Sequence, residues 1–359
     1  MRVSTLERES VGDPSDLSPR ASDDANCPRT ADTDPTVSRY RYTVPDISVV
    51  LLSWDGLELT ERCVESLRSH TTHELEIVIV DNGSRPEVQE AIAGLADRWV
   101  LNHENLGFAM GMNQGLEQVQ SPTVVFANND TAFPPGWDVA LVESLRTLPR
   151  AGIVVPAVTA SGNPRTVRSA PGTQVERLLP FSEPPSGIVY VMDSEYARRL
   201  GGWSTDYPIA SAEDWDLCFS VWVSGKEIYF DTRVLVEHVS KGTASKKLED
   251  WQALWRQNRN RFLEKWSTTI PETGPEIDPL RREQLTVAIE WMRRFYHTRD
   301  ELISVATERD ELRTQLRSSQ KREAELRQRA TLGYQLGRVP QRLGRKLRTL
   351  VRQGRSLSD

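Results

Sequence analysis

Ile47-Ser48-Val49-Val50-Leu51-Leu52 (ISVVLL) and Leu75-Glu76-Ile77-Val78-Ile79-Val80 (LEIVIV) decide the fold. Each is a short, nearly unbroken apolar run rich in β-branched residues, the pattern of a strand buried on both faces. Between them, Leu57–His70 sets Leu59, Cys63 and Leu67 on one stripe and reads as an amphipathic helix. The alternation continues outward with a helix opened by Pro86 and running to Ala96, then a short strand at Trp99–Leu101. A helix over Phe108–Val119 and a buried strand at Thr123–Ala127 (TVVFA) follow. This order predicts an α/β domain with a mostly parallel central sheet and right-handed crossovers. Polar residues closing the strands then share the edge where such sheets bind ligands.

The second half is less regular. Strands are expected at Ile153–Val158, Ile188–Met192, Lys226–Phe230 and Val234–Glu237, and helices at Ser194–Leu200 and Trp215–Val223. Lys247–Trp266 reads as a long helix carrying Trp251, Leu254, Trp255, Phe262 and Trp266. Pro271, Gly274, Pro275 and Pro279 should interrupt any helix, which puts the end of a catalytic domain 46–275 near that point. Residues 1–45 lack apolar periodicity and are expected to be disordered. Residues 280–330 form a charged helical extension whose patchy heptad suits a coiled coil, and through it an oligomer, no better than a solvated single helix or a docked hairpin. The tail 331–359 holds seven basic residues against Asp359, with Leu336, Val339, Leu343, Leu347, Leu350 and Val351 at helical spacing. That pattern fits peripheral contact with an anionic membrane, or a stripe packed on protein.

Bulk chemistry narrows the function. The formal net charge of −6, from 45 Lys+Arg against 51 Asp+Glu, argues against nucleic acid as a partner. Cys27, Cys63 and Cys218 are widely spaced, so neither a zinc site nor a disulfide framework is expected. No apolar run approaches the roughly 18 to 20 residues of a membrane span, and a cytoplasmic protein is expected.

Five segments at strand ends and turns can carry chemistry. In Ser53-Trp54-Asp55-Gly56, Trp54 suits either stacking on a nucleobase or capping the sheet. Asp81, in Asp81-Asn82-Gly83-Ser84, can hold a ribose or a base N–H, or simply close an Asx turn. Asn105-Leu106-Gly107 opens a glycine-rich helix start that could offer N–H groups to phosphate. Asn128-Asn129-Asp130-Thr131 is a polar turn whose Asp130 could bind a hard cation together with phosphate oxygens. Glu213-Asp214-Trp215-Asp216 could cap a helix or supply a base, and His238 follows at a later strand end.

The order of these segments resembles glycosyltransferase family 2, in its rhamnosyltransferase-like branch, from about Asp46 to Trp266. Asn105–Gly115 is similar to its N-x-G-F-x-x-G-x-N-x-G signature, and Gly201–Trp203 with Glu213–Cys218 to its acceptor-side segment. The resemblance implies a GT-A fold and a nucleoside-diphosphate sugar donor such as a dTDP-rhamnose-like or UDP-sugar. It implies a glycan or lipid-linked acceptor, and Mg²⁺ or Mn²⁺ as cofactor. By the same resemblance Trp54, Asp55, Asp81, Asn105, Gly107 and Asn129 serve the nucleotide sugar, Asp130 and His238 the metal, and Asp214 is the catalytic base. Many relatives carry Asp-x-Asp where this chain has Asn128-Asn129-Asp130, one acidic position fewer. A nucleotidyltransferase would need a basic glycine loop after the first strand, which Trp54-Asp55-Gly56 lacks. An inactive sugar-nucleotide-binding module is the remaining alternative.

Overall fold

The computed structural model describes residues 44–161, 166–180, 184–239, 250–272, 277–337 and 349. The expected disordered segment 1–45, apart from its last two residues, lies outside these, as do Lys241 and the tail beyond residue 337 except Thr349.

The four strands read from apolar runs form the parallel half of the sheet. They are β1 (Ile47–Ser53), β2 (Leu75–Asn82), β3 (Arg98–Asn102) and β4 (Thr123–Asn128), in the order β3-β2-β1-β4. Helices α1 (Leu57–His70), α2 (Pro86–Leu95) and α3 (Phe108–Gln118) connect them. Gly111 and Gly115 let α3 lie close on β1, since a Cβ at either would stand 2.3 Å from Leu52 Cδ1 or Val50 Cγ1. The turn before α3 is thereby held against the ends of β1 and β2.

After β4 the direction changes. The two-residue β5 (Thr131–Ala132) and helix α4 (Trp137–Thr147), neither expected from sequence, precede β6 (Ala151–Val158) and the short β7 (Val175–Leu178). Strand β8 (Val189–Asp193) then runs antiparallel between β4 and β6. Helices α5 (Ser194–Arg199) and α6 (Glu213–Val223) lead to β9 (Glu227–His238). The two strands expected over residues 226–237 are this single strand. Its polar Asp231-Thr232-Arg233 reads as a break, but a register shift against β6 between Pro156 and Ala157 absorbs it. The Asp231 carboxylate accepts from Ser144 Oγ at 2.8 Å and Arg233 N at 3.0 Å, so burial leaves it satisfied.

Helices α7 (Trp251–Glu272) and α8 (Pro279–Gly337) follow. The boundary expected near residue 275 does not mark the end of the packed domain. Leu285, Ala288, Ile289, Met292 and Tyr296 form an i, i+3/i+4 stripe on α8 that is buried in the same core as α3 and α6. Trp215 of α6 stacks on Tyr296 with centroids 5.8 Å apart and meets Phe262 of α7 edge-on at 5.5 Å. The Asp216 carboxylate ties α6 to α7, accepting from Trp266 Nε1 at 2.8 Å and Lys265 Nζ at 3.0 Å, and also from Tyr207 OH at 2.7 Å. A second core cluster fills the opposite face of the sheet beneath α1, α2 and α4.

Candidate active site

A cleft of about 890 Å³ opens at the carboxyl ends of β1 and β4 and extends to α7 and α8. Trp54, Asn105, Asn129, Asp130 and Asp214 line it, while Asp55, Asp81, Gly107 and His238 are not among its lining residues.

Asp130 and His238 meet because β5 pairs antiparallel with the end of β9, setting Thr131 opposite His238. His238 Nδ1 contacts the Ala160 carbonyl at 2.7 Å, which fixes it as the protonated nitrogen. Nε2 faces Asp130 Oδ1 at 3.1 Å but out of line for a hydrogen bond. Burial opposes a charge on His238, but the Asp130 carboxylate outweighs it and the net direction of the pKa is upward, so the pair favours a proton on Nε2. With that proton displaced, the Nε2 lone pair and the carboxylate oxygen make a donor set suited to a divalent cation. Among the described residues no cluster of three His, Cys, Asp or Glu side chains stands ready for a metal. The remaining coordination positions would fall to a ligand such as a diphosphate. Cys63 lies close by, 3.5 Å from Thr131 Oγ1, but burial pushes its thiol up to about 12 and keeps it protonated.

Asp214 stands in the first turn of α6, where backbone N–H groups point outward. Its Oδ1 accepts from Trp215 N at 2.9 Å and its Oδ2 from Gly187 N at 3.1 Å. Burial raises its pKa against those two bonds. Glu213 is almost fully enclosed, with Oε2 unpartnered among the described residues, and burial followed by the Asp214 charge pushes it up to about 8. Each carboxyl opposes ionisation of the other, and the backbone donors on Asp214 favour its charged form.

The loop preceding α6 is strained: Ile209, Ser211 and Ala212 have φ of 67°, 85° and 70°. Two clamps hold it. Phe108 N donates to Ile209 O at 2.5 Å, and Asn258 Nδ2 of α7 donates to Pro208 O and Ala210 O at 3.1 and 2.9 Å. The first N–H of α3, expected to face phosphate, is occupied by this contact. Gly107 acts instead through its carbonyl, which accepts from Asn82 Nδ2 at 3.2 Å.

Asn82, passed over in the sequence, is the hub of the opposite wall. It donates to Asn105 Oδ1 at 2.8 Å and accepts from Leu106 N at 3.0 Å. Asp81 beneath it bonds Ser84 N and Gln89 Nε2 through Oδ1 and leaves Oδ2 buried with no partner among the described residues. Asp55 links the turn after β1 to the turn after β2, accepting from Arg85 N at 3.0 Å. Asn129 Nδ2 bonds Thr60 Oγ1 at 2.9 Å. The far wall comes from helices, with Trp251, Trp255 and Arg256 of α7 and Phe295, Arg299 and Ile303 of α8.

Known proteins converge on this architecture. Residues 48–192 match the profile of Glycosyl transferase family 2. The pre-mycofactocin glycosyltransferase of Mycobacterium tuberculosis is 27% identical over 223 residues, which cover 58% of this chain and 45% of that protein. The chain thus spans less than half of that relative's length. An uncharacterized glycosyltransferase of Rickettsia prowazekii is 21% identical over 227 residues, 59% of this chain and 70% of its own length. Among solved structures, S. aureus TarS in complex with UDP-GlcNAc superposes with a TM-score of 0.50 at 11% identity, covering 67% of this chain and 70% of that chain. The rhamnosyltransferase-like branch is not singled out by any of these. Sheet order, cleft and matched segment together show that residues 48–192 carry a Glycosyl transferase family 2 domain, set in a sheet of the GT-A fold.

Proposed function

We propose that the protein is an inverting, metal-dependent transferase that moves a sugar from a nucleoside diphosphate, a dTDP-rhamnose-like or UDP-sugar, to an acceptor hydroxyl. The observation that carries this reading is the convergence of the Asp130–His238 pair and Asp214 on one cleft. Trp54 offers a face for the nucleobase, and the orphaned Asp81 Oδ2 an acceptor for an N–H of the nucleoside. Asp130 and His238 would hold Mg²⁺ or Mn²⁺, which supplies Lewis-acid charge to the leaving diphosphate.

Asp214 spends one lone pair of each oxygen on a backbone N–H and keeps the others for the acceptor O–H. As that oxygen attacks the anomeric carbon from the face opposite the nucleotide, its proton passes to Asp214 and the C–O bond to the diphosphate breaks. The configuration inverts. The helical wall of α7 and α8 is the acceptor side, and a glycan or lipid-linked acceptor of bacterial envelope synthesis fits a cleft of that size and aromatic character.

Assay of the purified protein against UDP-, dTDP- and GDP-sugars with Mn²⁺ tests this reading, with nucleoside diphosphate release as the readout. Donor binding without release in any combination would favour an inactive binding module, the reading to which Asn128, in place of an acid, lends support. Among the described residues no helix is long and apolar enough to cross a membrane. We assign membrane contact to the basic tail 331–359, on its composition alone. The full chain should sediment with anionic liposomes and a chain ending at residue 330 should not.

A further inference from the structure

Helix α8 carries two apolar stripes. One is the buried stripe that ends at Tyr296. The other consists of Leu280, Val287, Trp291, Leu302, Val305, Leu312 and Leu316, all between 42% and 66% exposed. At about 100° per residue these seven side chains fall within an arc of roughly 80°, about 140° away from the buried stripe. From Leu280 to Leu316 the stripe runs about 54 Å at 1.5 Å per residue. Exposed apolar residues scattered singly are ordinary, but a continuous line of this length marks a contact surface. Phe295 and Ile303 are also exposed but line the cleft.

From Leu302 onward the spacing is that of a heptad seam, with Leu302, Arg309 and Leu316 alternating with Val305 and Leu312. The step Arg294–Thr298–Leu302 inserts an extra four-residue spacing, which keeps the stripe straight along the part of the helix that lies on the domain. Charges flank the seam asymmetrically. Glu308 stands on one side and Arg313, five residues later, on the other. In a parallel pair of identical helices these two positions face each other across the seam, twice by symmetry. Arg309 on the seam then lies beside Glu308 of the other helix. An antiparallel pair would set Glu308 and Arg313 on different sides and lose both contacts. Past Leu316 the seam turns polar at Ser319 and Glu323, so the contact is strongest between Leu302 and Leu316.

We infer that α8 pairs in parallel, through this stripe, with α8 of a second copy of the chain. The contact is a symmetric coiled coil that leaves each cleft on its own side of the helix. It does not depend on the catalytic reading.

Sedimentation velocity of the full chain over a hundredfold concentration range reads the association. A reversible dimer is expected, with Leu312→Lys/Leu316→Lys weakening it at least tenfold while the circular dichroism spectrum stays unchanged. Glu308→Arg and Arg313→Glu should each weaken the dimer several-fold, and the double exchange should restore it. A monomer at every concentration overturns the inference, as does a dimer that survives Leu312→Lys/Leu316→Lys. Failure of the double exchange to restore association overturns the parallel arrangement. If the full chain is monomeric and Leu343→Lys/Leu347→Lys in the tail makes it dimerise, the tail covers the stripe and the second copy does not.

Discussion

Asn113 and Trp203, ninety residues apart, exchange two hydrogen bonds: Asn113 Oδ1 accepts from Trp203 N and its Nδ2 donates to Trp203 O, both at 2.8 Å. The clamp joins α3 to the turn after α5 and seats the Trp203 indole against Phe108, Phe126 and Tyr190. Asn113→Ala strands a donor and an acceptor in the core and should cost about 1–3 kcal/mol in urea unfolding. Gly202→Ala should also destabilise, because φ is 70° there and a Cβ would stand 2.3 Å from Asn113 Oδ1. An unchanged midpoint in both variants would show that the clamp contributes nothing.

Asp214→Asn should lower turnover by about two to four orders of magnitude while leaving nucleotide binding intact. Glu213→Gln mimics the protonated carboxyl and should keep most of the activity near neutral pH. Asp216→Asn should act on stability instead, since its carboxylate is consumed by Tyr207, Lys265 and Trp266. Turnover retained on Asp214→Asn but lost on Glu213→Gln would reassign the base.

Asp130→Ala and His238→Ala should each weaken binding of a nucleoside diphosphate in Mn²⁺ and leave the weaker binding in EDTA unchanged. Calorimetry of both variants and the wild type in the two buffers measures this. Equal wild-type affinity with and without Mn²⁺ would remove the metal from the mechanism.

Asp138, buried at the start of α4, accepts from Thr72 N at 2.8 Å, His73 N at 2.9 Å and His73 Nδ1 at 2.7 Å. Burial alone would raise its pKa, but these donors win and hold it below the ordinary carboxylate value. A lowered folded pKa means that the stabilisation is complete above the unfolded value of about 3.9 and is lost as pH falls through the folded one. Asp138→Asn should therefore cost about 1.5–3 kcal/mol at pH 7 and progressively less below pH ~4. Urea midpoints at both ends of that range decide it, and a pH-independent difference would contradict the assignment.

The parallel half of the sheet is legible in the sequence because ISVVLL and LEIVIV report burial locally, without knowledge of their neighbours. The polar turns are legible as turns for the same reason. Their mutual placement is not, because Asp130 reaches His238 only through the two-residue β5, too short to leave any periodicity. The triplet Asp231-Thr232-Arg233 reads as a strand end because a bulge with internal partners looks polar in one dimension. Asp55 and Asp81 read as nucleotide-side residues because strand ends point to the cleft, but the bonds of one oxygen of each to the turn after β2 leave no mark in the sequence. The left-handed Ile209, Ser211 and Ala212 carry no glycine to announce them, and the wall from α7 and α8 lies beyond the signature motifs.

The pairing of β5 with β9 also orders events in time. Asp130 leaves the ribosome about a hundred residues before His238, which at about 5–20 residues per second is an interval of several seconds or more. Through that interval the nascent chain already has the first four strands in hand, but Asp130 and His238 have not yet met. On the reading proposed above, the growing polypeptide has its nucleoside wall before it has its metal site, and chemistry waits until β9 docks against β5.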